Sequence, residues 1–241
     1  MSSLGIVDRA DHAIFADPGA ELPDTYKLWD SLNEWKERNN GIPLIKKKKS
    51  LYDDIIRGQN STGQKWASIP AFGESGGMIR RQCTREYKID VVVKIIRKLH
   101  GLKKYQRMKP TEVWLGISLD EIQRMKESKL SNITYHYPLI DKRITRSQCK
   151  QFLEDNSFHN VKKSSCVFCP YHGNIQWKEI KENYPEEWKT AIKIDNAIRD
   201  SSKRGLKDRL FLHRSLRPID EAYFQEDQEE LFMCEAGFCG L

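Results

Sequence analysis

The chain has 241 residues, 39% hydrophobic and 31% charged, with 41 Lys and Arg against 34 Asp and Glu for a net charge of +7. That suffices for one substantial core with a small helical appendage. No apolar run approaches the roughly 20 residues that cross a bilayer, and no basic stretch followed by an apolar one opens the chain, so the expectation is a cytoplasmic protein with no membrane partner. Six cysteines without secretory features read as reduced thiols or metal ligands rather than a disulfide framework.

In chain order, His12 to Ala16 reads as a short strand stopped by Asp17-Pro18-Gly19, and Pro23-Asp24-Thr25 opens a helix with Leu28, Leu32 and Trp35 on one face. Lys46 to Lys49 form the densest basic run, either a solvated loop or strand end or a nucleic-acid contact, and a helix follows near Ser50. Cys83 opens another helix, with Ile89, Val92, Val93, Ile96 and Leu99 as its buried stripe and Gly101 as its end. Val113 to Ile117 reads as a buried strand. From Asn174 the pattern is helical and charged until Gly205. Strands alternating with helices imply an α/β fold with a parallel sheet flanked by helices, and a helical C-terminal extension.

The chemistry concentrates in Lys163-Ser-Ser-Cys166-Val-Phe-Cys169-Pro-Tyr-His172, where two thiols three positions apart can grip one metal centre. Cys83 adds a third thiol. Soft sulfur ligands suit zinc or an iron–sulfur cluster, while a redox dithiol or a buried thiol are the plainer readings of the pair. Arg80, Arg81, Arg85 and Lys88 surround Cys83, and their positive field would hold an anionic substrate and lower that thiol's pKa. Ser75-Gly76-Gly77 is glycine-rich but follows no convincing strand, so it reads as flexible backbone or a surface turn before it reads as a phosphate loop. Cys149, in register with Phe152 and Leu153, reads as core; His172 reads as supporting the site or facing solvent, and His213 as a local cap or core contact.

Five segments in order resemble landmarks of the phosphoadenosine phosphosulfate reductase family: Ala16-Asp17-Pro18-Gly19-Ala20-Glu21, Cys83-Thr84-Arg85-Glu86-Tyr87-Lys88, Gly116-Ile117-Ser118-Leu119-Asp120-Glu121 with Arg124, Tyr137-Pro138-Leu139-Ile140-Asp141, and Ser164-Ser165-Cys166-Val167-Phe168-Cys169. The resemblance covers about residues 12 to 172 and is nearest to a poorly characterised, phage-associated branch. It implies an adenine nucleotide alpha hydrolase-like fold over residues 1–172, with 173–241 as a helical extension and cysteine-containing tail in the same domain. It also implies a 4Fe-4S cluster, with zinc as the alternative, on Cys83, Cys166 and Cys169. Relatives have two adjacent cysteines where Gln82-Cys83 stands here, so Cys234 of the tail is the candidate fourth ligand.

The same resemblance assigns Asp17, Arg80, Arg81, Gly116, Ser118 and Arg124 to an anionic nucleotide, ATP or phosphoadenosine phosphosulfate. Asp17 and Glu21 have the alternatives of stabilising a turn and a helix start, and Arg124 that of an ion pair on a helix face. Phe238-Cys239-Gly240-Leu241 is similar to the family's Cys-Gly-Leu tail, which makes Cys239 a candidate nucleophile and a thiol reductant such as thioredoxin a candidate partner. The family's Ser-Gly-Gly-x-x-Ser phosphate loop has no counterpart in these residues, since Met1 to Gly5 resemble the end of the family's first helix. Weak binding of ATP and phosphosulfate is therefore expected. The functions implied are a sulfur- or nucleotide-chemistry enzyme, a nucleotide-activating sulfurtransferase acting on nucleic acid, or a noncatalytic iron–sulfur or nucleic-acid-binding accessory protein.

Overall fold

The structure is a computed structural model that describes residues 1–65, 69–202 and 206–225. The chain runs β1 (Ala13–Asp17), α1 (Pro23–Arg38), β2 (Leu44–Lys48), α2 (Leu51–Ile56), β3 (Phe72–Gly73), α3 (Asp90–Leu99), β4 (Thr111–Trp114), β5 (Ile133–His136), α4 (Pro138–Asp141), α5 (Arg146–Asp155), α6 (Asn174–Asn183), α7 (Pro185–Arg199) and β6 (Leu210–Phe211). The 3-10 turns Ser2–Leu4 and Leu119–Arg124 and a π-helical turn, Thr84–Ile89, also lie among the described residues. No helix among the described residues is long and apolar enough to cross a membrane.

Local chemistry sets most boundaries. Helices α1, α4 and α7 each open on a proline, whose fixed φ suits the first turn and whose missing N–H costs nothing there. Ser50 caps α2 by accepting from the Asp53 amide at 3.2 Å. Thr145 and Gln148 form a reciprocal capping box on α5. Gly101, at φ 66°, ends α3 in the left-handed conformation that glycine adopts without strain.

The fold is α/β, but the strands among the described residues form three two-stranded pairs, β1–β2, β3–β6 and β4–β5, where one parallel sheet was expected. The β4–β5 pair is parallel, with Thr111 opposite Ile133 and Trp114 opposite His136; the β3–β6 pair is antiparallel. Strand β4 stops at Trp114 rather than Ile117. Its partner runs out at Tyr137-Pro138, where proline offers no amide and the chain turns into α4.

Two further expectations change. Leu99 is 44% exposed, while Val91 and Ile96 are the buried residues of α3. The π-helical turn ahead of α3 carries i→i+5 spacing, which rotates the apolar stripe away from the α-helical phase. After α6 and α7 the chain is not simply helical: Leu210, Phe211 and Leu212 are buried around β6, which pairs with β3. Gly205 lies outside the described residues. The Lys46 to Lys49 run begins as strand, with Lys46, Lys47 and Lys48 exposed on β2.

The chain gathers into two compact units. The first comprises Met1–Phe15, Pro23–Lys46 and Val92–Lys163, with a small core of Ile96, Met108 and Ile133 that Leu102, Val113 and Tyr135 pack against. The second comprises Ala16–Leu22, Lys47–Val91 and the chain from Ser164 onward. Its larger core includes Leu51, Tyr87, Phe168, Trp177, Ile194 and Leu212, each almost fully buried.

Candidate functional site

The second unit holds an open cleft of about 600 Å³, the solvent-filled part included, bordered by Arg81, Cys83, Lys88, Cys166, Cys169 and Tyr171 among others. Cys83 occupies the N-cap position of the π-helical turn. That turn is clamped from two sides: the buried Tyr87 donates its hydroxyl to Asp54 Oδ2 at 2.6 Å, and Lys49 Nζ donates to the Glu86 carbonyl at 2.9 Å while lying 4.8 Å from the Tyr87 ring centre. Five residues after Cys83, one π-turn on, Lys88 also borders the cleft.

The opposite wall is the Ser164 to His172 loop. The Val167 amide donates to the Ala20 carbonyl at 2.8 Å, and Glu21 bridges Cys166 in antiparallel fashion. Val167 and Phe168, both buried, pin the loop into the core between the two cysteines. A turn closed by the Cys169 amide on the Cys166 carbonyl, at 3.0 Å, keeps the pair together. His172 is buried rather than solvent-facing: Nε2 donates to the Cys166 carbonyl at 2.8 Å, and the ring meets Trp177 edge-on at 4.8 Å. His213 is a core contact, with Nε2 2.8 Å from Asn174 Oδ1 and Nδ1 2.8 Å from Ser215 Oγ.

The electrostatics centre on Lys88. Burial works against its ammonium, yet Cys166, Glu21, Cys83 and Cys169 together outweigh that and raise its pKa, so it stays charged. Burial pushes the Cys166 thiol well above its ordinary value, Glu21 adds to the rise and Lys88 opposes it. Burial also raises Cys83, with Arg81 and Lys88 pulling the other way. The field of those cations was expected to lower the Cys83 pKa; desolvation wins instead. Burial raises Glu21 too, against Lys88 and a 2.8 Å hydrogen bond from Ser164 Oγ. Cys83 and Cys166 thus favour the protonated thiol, and a metal entering the cleft must displace their protons.

The donor chemistry fits an iron–sulfur cluster: three thiols from two segments face one cleft, with cationic groups to balance thiolate charge. Among the described residues, no three His, Cys, Asp or Glu side chains gather as a site for a single metal ion. Each ligand of a 4Fe-4S cluster holds a different iron, so its ligand set is wider than that of one ion. Cys234 and Cys239 lie outside the described residues.

The other expected residues divide. Asp17 is buried and its Oδ1 accepts from the Gly19 amide at 2.7 Å, holding the turn where Gly19 takes φ 75°. Glu21 does not start α1; it serves the cysteine loop through Ser164. Arg81 lies with its guanidinium 5.7 Å from the Tyr171 ring centre, whereas Arg80 is exposed and does not line the cleft. Arg85 faces Asp90 at 3.9 Å. Ser75-Gly76-Gly77 is a hairpin turn, closed by the Gly73 amide on the Gly77 carbonyl at 3.1 Å.

In the first unit, Gly116 is exposed with open space beside it, Ser118 is buried at the N-cap of the Leu119–Arg124 turn, and Arg124 is ion-paired with Glu121. Cys149 is half-buried on α5. The sequence placed Lys88 among the cations around Cys83, and the cleft includes it; what the sequence did not show is that Lys88 sits among all three thiols, with Glu21 close enough to act on it. A spacing of five from Cys83 was the available signal for Lys88, and it points inward only in a π-turn.

No protein-family model, no curated protein and no solved structure matches the chain.

Proposed function

We propose that the cleft of the second unit is a thiolate centre for a 4Fe-4S cluster, in an enzyme of the phosphoadenosine phosphosulfate reductase kind that acts on sulfur or nucleotide substrates. The observation that carries this reading is the convergence of Cys83, Cys166 and Cys169 on one cleft around the Lys88 ammonium. Those three residues would hold the cluster and Cys234 would complete the set. When bound, the cluster organises and polarises the cleft. Lys88 and Arg81 supply positive charge for phosphate or sulfate oxygens, with Arg81 steadied on Tyr171. Val167 and Phe168 seal the loop from behind, and His172 fixes the carbonyl of Cys166.

In this reading the finer fold is adenine nucleotide alpha hydrolase-like, and Gly116 and Ser118 would meet the nucleotide. Arg124 is a poorer phosphate ligand than the resemblance implies, because Glu121 already holds it. Cys239 would attack the sulfur of an activated sulfuryl donor: a new S–S bond forms, the S–O bond to phosphate breaks, and the nucleotide leaves with that electron pair. Iron analysis and intact-protein mass spectrometry on two variants test the scheme. Cys234→Ser is expected to lose cluster, and Cys239→Ser to keep the cluster but form no thiosulfonate adduct. Cluster loss in Cys239→Ser, or an unchanged adduct there, rejects the assignment.

A noncatalytic iron–sulfur accessory protein is the second reading, and the Ser75 to Gly77 hairpin favours it. That segment runs back along β3, with the Ile79 amide donating to the Ala71 carbonyl at 2.9 Å, instead of opening a helix whose amides could cradle phosphate. Calorimetric titration with ATP and phosphoadenosine phosphosulfate separates the two. Saturable binding of either, even if weak, supports the enzyme, and no binding of both supports the accessory protein.

A further inference from the structure

Between Asp90 and Glu112 the chain carries seven Lys and Arg and no carboxylate, a local charge equal to the net +7 of the whole protein. Charge runs are usually just solvated faces. This one has a built loop at its centre. Arg97 Nη1 donates to the Gln106 carbonyl at 2.9 Å and Nη2 to the Lys103 carbonyl at 2.7 Å, while Gln106 Oε1 accepts from the Lys103 amide at 2.7 Å. On either side, Leu102 and Met108 are anchored in the core of the first unit. What remains outside is Lys103 to Arg107.

At the tip stands Tyr105, 89% exposed and held at φ 72°, a conformation that strains a tyrosine. Such strain persists where the surroundings enforce it, and it motivates a search for function. Lys104 Nζ lies 5.0 Å from the ring centre. Lys98, Lys103, Lys104, Arg107 and Lys109 are all exposed, and among the described residues none of them makes an ion pair with a carboxylate. The exposed loop thus offers one flat aromatic face amid unneutralised cations and no aliphatic side chain to insert into lipid.

We propose that this loop is a contact site for single-stranded nucleic acid, with Tyr105 stacking on a base and the flanking cations on the phosphates. A base has a π-face in either DNA or RNA, and single strands leave it accessible. Duplex DNA would use the cations alone. The site is independent of the thiol cleft and of the enzyme reading.

Fluorescence anisotropy of the full chain with end-labelled mixed-sequence oligonucleotides of about 20 residues tests it, with single-stranded DNA and RNA as separate arms. Tyr105→Gly is the informative variant, because glycine adopts the positive φ freely and removes the ring without straining the turn. Its affinity is expected to fall about tenfold, and Tyr105→Phe to stay within about twofold of wild type. Replacing Lys103 and Lys104 with Ala is expected to flatten the log–log salt dependence by about 1.4, two phosphate contacts at about 0.7 each. Unchanged binding by Tyr105→Gly, tighter binding of a duplex of the same sequence, or binding to phosphatidylserine vesicles without binding to single strands would each overturn the proposal.

Discussion

Two regions of this protein use positive charge in opposite ways. In the second unit, two half-buried cations are held by partners: Lys88 stands among thiols and Glu21, and Arg199 pairs with the buried Asp195 while its guanidinium lies 3.9 Å from the Phe211 ring centre. In the loop from Lys103 to Arg107, cations stand in water, and among the described residues no carboxylate pairs with them. A cation paired inside the fold is tied to it because removing either partner leaves the other partly desolvated and uncompensated. An exposed one costs the fold nothing and stays free to meet an external anion.

The sharpest way to break the contrast is Asp195→Ala. Asp195 Oδ1 accepts from the Leu212 amide at 2.8 Å and Oδ2 from the Ile219 amide at 3.1 Å, so the change orphans two buried amides as well as Arg199. Denaturant unfolding is expected to report a loss of about 3–5 kcal/mol. Lys88→Met comes next. Without that ammonium the cleft no longer offsets thiolate charge, and metal affinity is expected to fall about 10–100-fold on reconstitution, as for partners that support metal ligands elsewhere. A change within twofold would show that Lys88 is a bystander.

A pH series sharpens the same point in metal-free protein. Because burial raises the Cys166 and Cys83 pKa values, the thiolate fraction at a given neutral pH is smaller than for a free cysteine. Iodoacetamide should therefore label them slowly at neutral pH and faster as pH rises beyond about 9, past the ordinary thiol range. The stability linked to these groups is fully present below the unfolded thiol pKa and is lost as pH rises through the folded one. The melting temperature of metal-free protein should fall on that alkaline side. The smallest effect belongs to the loop: replacing Lys103 and Lys104 with Ala should move stability by no more than about 0.5 kcal/mol.

The α/β class and the starts of α1 and α2 were legible because proline and serine act locally at helix starts. The proximity of Cys166 and Cys169 was equally local. What hid was anything set by a partner strand or a rare geometry. The end of β4 depends on Pro138, more than twenty residues away, and the inward aim of Lys88 depends on the π-turn that follows Cys83. Glu21 read as a helix start because its true partner, Ser164, is distant in sequence. Tyr105 and its loop went unread for a related reason: Arg97, which ties the loop, looks in sequence like one more surface cation.

The central claim is that Cys83, Cys166 and Cys169 hold a cluster in this cleft. Iron and acid-labile sulfide, measured in anaerobically reconstituted wild type and in Cys169→Ser, test it most directly. The account predicts brown protein with about four irons and four sulfides per chain in wild type and loss of most of both in the variant. Full-occupancy zinc with no iron after anaerobic reconstitution, or equal cluster content in Cys169→Ser, would contradict it.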